Sequence, residues 1–286
     1  MKIKVKIKGN NENWSVFQVG KQKGMPVVHF HGLASNSSEI MVFENLAIRN
    51  NLKIIGINRS DFNKTNKQFN RKIFFEDFQL ILNELNIDSF CIQGHSAGGW
   101  YAIQLCELMN KRICKCSLIS SLMPFNEISN FKISKLYFEM YFAKKHPEIS
   151  KKILKEFIEI DFENEKHTNK KLNRLKFILN ESDLKYLNMK NNPINRAITQ
   201  TLKYNKDSVV NELIELTKEV KLNYSKINKI PINFYHGKLD KIIPIQIEKH
   251  FRNHLSDSVF YEFENDGHLS VLKHSDFILN KYIDLN

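Results

Sequence analysis

Residues 1–9 place Lys at even positions and Ile3, Val5 and Ile7 at odd ones. A period of two predicts a half-buried strand with its lysines in water, and a lysine-lined edge resists pairing with another sheet. A second strand is predicted over 14–19, with residues 20–24 as the turn. From Pro26 onward the pattern changes to short apolar runs, at 27–31, 53–57, 90–93, 116–120, 232–236 and 259–263. Helical candidates lie near 39–49, 73–85, 97–110, 245–255 and 271–282. Such alternation predicts a parallel sheet wrapped by helices.

The alternation breaks once, over residues 121–230, where no β-like run occurs and helical spacing dominates. This divides the chain into a core of 1–120 and 231–286 and a helical insertion of 121–230. The insertion carries spaced aromatics (Tyr137, Phe138, Tyr141, Phe142, Phe157, Phe177, Tyr186, Tyr204), and Pro193 interrupts it. The aromatics either line an apolar pocket or make the insertion's own core.

Composition narrows the picture. With 286 residues, 42% of them hydrophobic and 26% charged, the chain is long and apolar enough to bury a sizeable core. No run approaches the roughly 18–20 apolar residues that span a bilayer, and the basic N-terminus is not followed by an apolar segment. A cytoplasmic protein with no membrane span is therefore expected. None of Cys91, Cys106, Cys114 and Cys116 makes a Cys-x-x-Cys pair, so free thiols are expected. The net charge of +12 is dispersed among acidic residues, and the insertion, with 21 Lys and Arg against 14 Asp and Glu, holds more than half of the excess. No recognition motif accompanies it, which argues against a nucleic-acid partner.

The sharpest chemical signal is Gly94-His95-Ser96-Ala97-Gly98-Gly99, directly after a predicted strand and directly before a predicted helix. A Gly-x-Ser-x-Gly in that setting is a nucleophile elbow. The turn is so tight that side chains two places either side of the serine would strike backbone, and Ser96 is held strained with its hydroxyl exposed. The competing reading is a glycine-rich helix start that binds phosphate through its amides.

Three further motifs bear on the choice. His29-Phe30-His31-Gly32-Leu33 follows a strand, His236-Gly237-Lys238-Leu239-Asp240 precedes Ile243-Pro244, and Asp266-Gly267-His268 follows the last strand. Together with the elbow, these make the chain resemble the α/β-hydrolase superfamily over nearly its whole length. The resemblance implies a mostly parallel eight-stranded sheet flanked by helices with an inserted α-helical cap. Asn180-Glu181-Ser182-Asp183 and Ile230-Pro231 resemble members whose caps serve varied substrates.

What the resemblance implies for chemistry is specific. Ser96 is the nucleophile, His268 the base and Asp240 the acid that orients the base, in the order Ser, Asp, His that this fold uses. The N–H groups of Leu33 and Ala97 form the oxyanion hole. Asp266 is an alternative acid, though two residues from the base it has little freedom to reach the imidazole. A serine at position 96 argues against the dehalogenase and epoxide-hydrolase branches, which place aspartate there.

No cofactor and no metal are expected. His29, His31, His95 and His236 stand at strand ends and offer no His-x-x-x-His spacing. The implied activity is cleavage of a small to medium carboxylic ester or thioester, a small-molecule acyl substrate, through an acyl-enzyme on Ser96. The alternatives are a small-substrate peptidase or amidase, or a non-catalytic binding module on the same scaffold. Oligomeric state is not legible.

Overall fold

The computed structural model describes residues 3–9, 13–59, 71–132, 134–158, 178–204 and 206–283. Eight strands form one sheet: β1 (Ile3–Lys8), β2 (Asn13–Gly20), β3 (Met25–Phe30), β4 (Leu52–Ile57), β5 (Phe90–His95), β6 (Ile113–Ile119), β7 (Ile232–Gly237) and β8 (Ser258–Phe263). Their spatial order is β1-β2-β4-β3-β5-β6-β7-β8. Only β2 runs against its neighbours, pairing antiparallel with β1 and β4, while every pair from β4 to β8 is parallel.

The central strands read as unbroken apolar runs because both faces are covered. Successive residues enter opposite cores: Val28, Ile55, Ile92, Leu118 and Phe234 pack on one face, and Val27, Ile54, Cys91, Ile119 and Tyr235 on the other. The first face is covered by α2 (Arg71–Glu84), through Phe74, Phe78 and Ile81, and by α3 (Ala97–Leu108), through Trp100 and Tyr101. The second is covered by a 3-10 helix over Ser37–Phe43 and by α1 (Glu44–Arg49).

Two expected helices are each divided. The segment predicted at 39–49 opens as the 3-10 helix, and only then becomes α1. A repeat of three residues per turn stacks Ile40 and Phe43 on one buried face, which an α-helix would offset. The segment predicted at 271–282 likewise begins as a 3-10 helix over Ser270–His274, whose first N–H is held by Asp183 of the insertion.

Between β6 and β7 the described residues contain helices and no strand: α4 (Phe125–Ile128), α5 (Lys135–Lys145), α6 (Pro147–Ile158), α7 (Glu181–Leu187), α8 (Pro193–Tyr204), α9 (Lys206–Leu216) and α10 (Tyr224–Ile227). Pro193, expected as an interruption, stands at the first position of α8, where a missing N–H costs nothing. The spaced aromatics serve different ends. Tyr186 is buried and Tyr137 packs against the core, whereas Phe138, Tyr141, Phe142 and Tyr204 are exposed. The side chain of Phe157, and Phe177, lie outside the described residues.

After β7 come α11 (Ile245–Arg252) and, last, α12 (Ser275–Asn280). No helix among the described residues is long and apolar enough to cross a membrane.

The tightest contact in the core sets α3 on β3. A Cβ built on Gly98 would lie 1.9 Å from the Phe30 carbonyl oxygen, so α3 approaches β3 backbone to backbone. Gly98→Ala is expected to destabilise the protein by about 3 kcal/mol, read from urea unfolding. A loss under about 1 kcal/mol would mean that α3 can retreat from β3 at little cost.

Candidate active site

Ser96 stands between β5 and α3 with φ 54° and ψ −124°, a strained backbone for any residue with a side chain. Its neighbours hold it there. Ser96 donates its N–H to the Ile119 carbonyl at 3.0 Å, and its own carbonyl accepts from Gly99 and Leu122 at 3.0 and 2.8 Å. A Cβ on Gly94 would meet the Gly98 backbone at 2.5 Å. The turn therefore closes only with glycine at both places.

The order of strands decides what meets Ser96. β7 and β8 are neighbours, so the loops that follow them run side by side, with Leu239 N–H donating to the Asp266 carbonyl at 2.8 Å. The loop after β8 returns over β7 and β6, and His268 Nε2 accepts from the Ser96 hydroxyl at 2.8 Å. His268 Nδ1 donates to Asp240 Oδ2, also at 2.8 Å. An imidazole that donates through Nδ1 keeps Nε2 bare, which is the tautomer needed to take a hydroxyl proton.

Asp240 is satisfied on every side. Its Oδ1 accepts the N–H groups of Ile242 and Ile243 at 2.8 and 2.9 Å, and its Oδ2 faces His268 and, at 3.3 Å, His236 Nε2. Burial by itself raises the carboxyl pKa, but His268 and His236 outweigh it and hold Asp240 below the usual carboxylate range. His236 in turn donates from Nδ1 to the buried Glu248 at 2.6 Å. Burial works against charge on His236, yet Glu248 and Asp240 together raise its pKa to about 10. Asp266, the alternative acid, points elsewhere: it holds Lys273, His274 and the Ser182 hydroxyl.

Leu33 lies beside the elbow, since a Cβ on the preceding Gly32 would be 3.4 Å from Ser96 Cβ. Neither the Leu33 nor the Ala97 N–H has a hydrogen-bond partner among the described residues. Both remain available to an anion. The loop carrying Leu33 is anchored through Gly32, whose carbonyl accepts from His31 Nδ1, Ser35 N–H and Arg59 Nη2 at 2.8, 3.3 and 3.4 Å. Arg59 also reaches the insertion, where its Nε donates to Glu212 at 2.7 Å.

Glu39 is the centre of a second buried network. It accepts from Gly32 N–H at 3.3 Å, from His29 Nε2 at 3.0 Å and from His95 Nδ1 at 2.9 Å. Burial alone raises the Glu39 carboxyl, but His95 first, then His29, bring it well below its ordinary value. His95 donates at both nitrogens, the second to the His268 carbonyl at 3.2 Å. Burial opposes its charge, but Glu39 prevails and raises its pKa. His29, buried without enough compensation, is lowered; its Nδ1 accepts from Gln93 at 3.0 Å.

The insertion supplies a residue that periodicity could not flag. Asp183, capped into α7 by Asn180, accepts the N–H groups of His268, Leu269 and Ser270 at 3.1, 2.8 and 2.8 Å. Three successive amides on one carboxylate make an anion nest. In the sequence, Asn180 and Asp183 signal a helix start and the resemblance to capped members, but not this contact; Glu39, Arg59 and Glu248 carry no local signal at all.

The family model of the alpha/beta hydrolase fold matches residues 26–275. No curated protein matches the sequence. Among solved structures, an esterase from Exiguobacterium antarcticum is similar over 99% of this chain and 100% of its own, with TM-score 0.65 and 17% identity. A thermophilic esterase from Thermogutta terrifontis is similar over 99% of both chains, with TM-score 0.67 and 14% identity. A putative lipase from Acinetobacter baumannii AYE is similar over 99% of this chain and 90% of its own, with TM-score 0.69 and 17% identity. At these identities the likeness is one of fold.

Glu39→Gln should cost about 3 kcal/mol at pH 7 by leaving a buried imidazolium unpaired. Because the folded Glu39 pKa is lowered, its stabilisation is complete above the ordinary carboxylate pKa and fades as pH falls through the depressed value. The gap between wild type and variant in urea unfolding should therefore narrow on acidification. A constant gap would contradict an ionised Glu39.

Asp183→Asn should unpair at least one of the three loop amides and speed hydrogen exchange at residues 268–270. Turnover should fall by roughly tenfold to a hundredfold through misplacement of His268. Unchanged exchange would remove Asp183 from that role.

Proposed function

Because the chain belongs to the alpha/beta hydrolase fold family, we propose that it is a serine hydrolase cleaving small to medium carboxylic esters or thioesters through an acyl-enzyme on Ser96. One observation carries this reading: the unbroken Ser96–His268–Asp240 relay, with both links at 2.8 Å. A part-buried hydroxyl on a buried imidazole and carboxylate in this tautomer is an activated nucleophile, which a phosphate-binding loop has no use for.

The steps follow from the geometry. Ser96 Oγ attacks the acyl carbon while His268 Nε2 takes its proton, and Asp240 balances the imidazolium that forms. Negative charge develops on the former carbonyl oxygen, where the unpartnered N–H groups of Leu33 and Ala97 receive it. When the intermediate collapses, His268 returns the proton to the departing alkoxide or thiolate. A water activated by the same imidazole then releases the acid and frees Ser96. No step draws on a cofactor.

Residues 1–120 and 231–286 act as the catalytic core and residues 121–230 as the cap. Leu202, Val209 and Val210 of the insertion pack with Ile198 and with Leu33 and Ala34, so the insertion seats directly on the oxyanion loop. The esterases among the similar structures agree with an ester substrate.

The test is a panel of p-nitrophenyl esters from acetyl to palmitoyl with matched thioesters and anilides. Esters and thioesters should turn over faster than anilides. Ser96→Ala should lower kcat by about a million-fold, about 8 kcal/mol of barrier, while the fold persists. A fluorophosphonate should label a peptide containing Ser96. Labelling of another serine, or near-normal turnover by Ser96→Ala, would overturn the assignment.

A further inference from the structure

Outside the site, three side chains of metal-binding type meet on the far end of α11. His250 lies on that helix and His254 one turn later, just past its end; Glu127 reaches them from α4. One ligand atom from each lies within 4.8 Å of the other two. The His-x-x-x-His spacing is present in the sequence, but only the fold brings a carboxylate to it.

The bonding of Glu127 is unequal. Its Oε1 accepts from the Tyr224 hydroxyl at 2.8 Å and from the Asn126 amide at 3.0 Å. Its Oε2 stands 3.9 Å from His254 Nε2, beyond hydrogen-bond reach. No closer partner of Oε2 occurs among the described residues. Glu127 is nonetheless buried, at 8% exposure. The Asn130 amide lies 3.1 Å from His250 Nε2, and the direction of that bond follows the imidazole tautomer. A buried carboxylate oxygen and two imidazoles thus converge without bonding to one another.

We propose that His250, His254 and Glu127 bind a divalent transition-metal ion of the zinc class, with water completing the shell. Two imidazoles and one carboxylate form a borderline donor set that suits zinc and is poor for magnesium or calcium, which favour oxygen throughout. A tetrahedral ion with ligands at about 2.0 Å sets its donors about 3.3 Å apart. The three side chains therefore contract slightly, and His254 is exposed enough to rotate.

The surroundings orient the ligands. Tyr224 and Asn126 hold the carboxylate from behind, Phe131 stands edge-on to His250 at 5.5 Å, and the Tyr224 ring lies 5.0 Å from that of His254. Glu127 comes from the start of the insertion, Tyr224 from its end, and the histidines from the core. The ion would staple both ends of the insertion to α11, and its role is independent of Ser96.

The experiment is calorimetric titration of the chelator-stripped, full-length protein with zinc chloride, beside magnesium chloride. One equivalent of zinc should bind with micromolar or tighter affinity, raise the melting temperature, and be insensitive to magnesium. His250→Ala and His254→Ala should each weaken binding by roughly a hundredfold and abolish the thermal shift, and Glu127→Gln should weaken it about tenfold. Cobalt(II) should give the visible absorption of a tetrahedral site in the wild type and lose it in His254→Ala, whose circular dichroism reports folding. Zinc binding unchanged in the double variant H250A/H254A, no saturation below millimolar zinc, or equal competition by magnesium would overturn the proposal.

Discussion

The contact of Gly98 with the carbonyl of Phe30 is the constraint from which the site's geometry follows. With α3 pressed against β3 at that point, the chain leaving β5 has one turn in which to reverse, and Ser96 takes a left-handed backbone that no free peptide would favour. The same close approach brings the loop after β3 to the elbow, so Gly32 lies beside Ser96 with room for no more than a methyl group between them. Ser96 and the loop carrying Leu33 are thus placed by one packing event. A larger residue at 98 would move both.

Charge is buried around that turn in two groups, each built on paired carboxylates and imidazoles. On one side Glu39 is shared by His29, His95 and the Gly32 amide; on the other, Asp240 and Glu248 flank His236. Unpaired, any of these groups would cost several kcal/mol. Paired, they hold the loop carrying Leu33 and the Asp240 carboxylate in place. His95 joins the first group to the His268 carbonyl, so the network under the Gly32–Leu33 loop and the loop carrying the imidazole share a strut.

The helical insertion participates in this scaffold as well as lying beside it. Asp183 grips three amides of the His268 loop, Glu212 holds Arg59, and Asn36 of the core donates to Ala197 and Thr201 of α8. Each of these is a polar contact between residues from segments that fold as different regions of the sheet and its insertion. The arrangement ties the position of the imidazole to the seating of the insertion.

The sequence by itself determined the strands, the helices that flank the sheet, two of them divided in the structure, and the glycine-framed turn at Ser96. These are matters of local periodicity and steric exclusion, which are written within a few residues. It also presented Ser96, Asp240 and His268 as candidates, but not their distances, and it left Asp266 open as a second acid. Ser96 and His268 are 172 residues apart, and their meeting depends on strand order. Which acid faces the imidazole was decided by the loop after β7, while Asp266 was taken up by Lys273 and His274. The roles of Glu39, Arg59, Asp183 and Glu127 were not legible beforehand for one reason. A buried polar side chain is defined by the partners that satisfy it, and only the tertiary structure brings distant partners within hydrogen-bond reach.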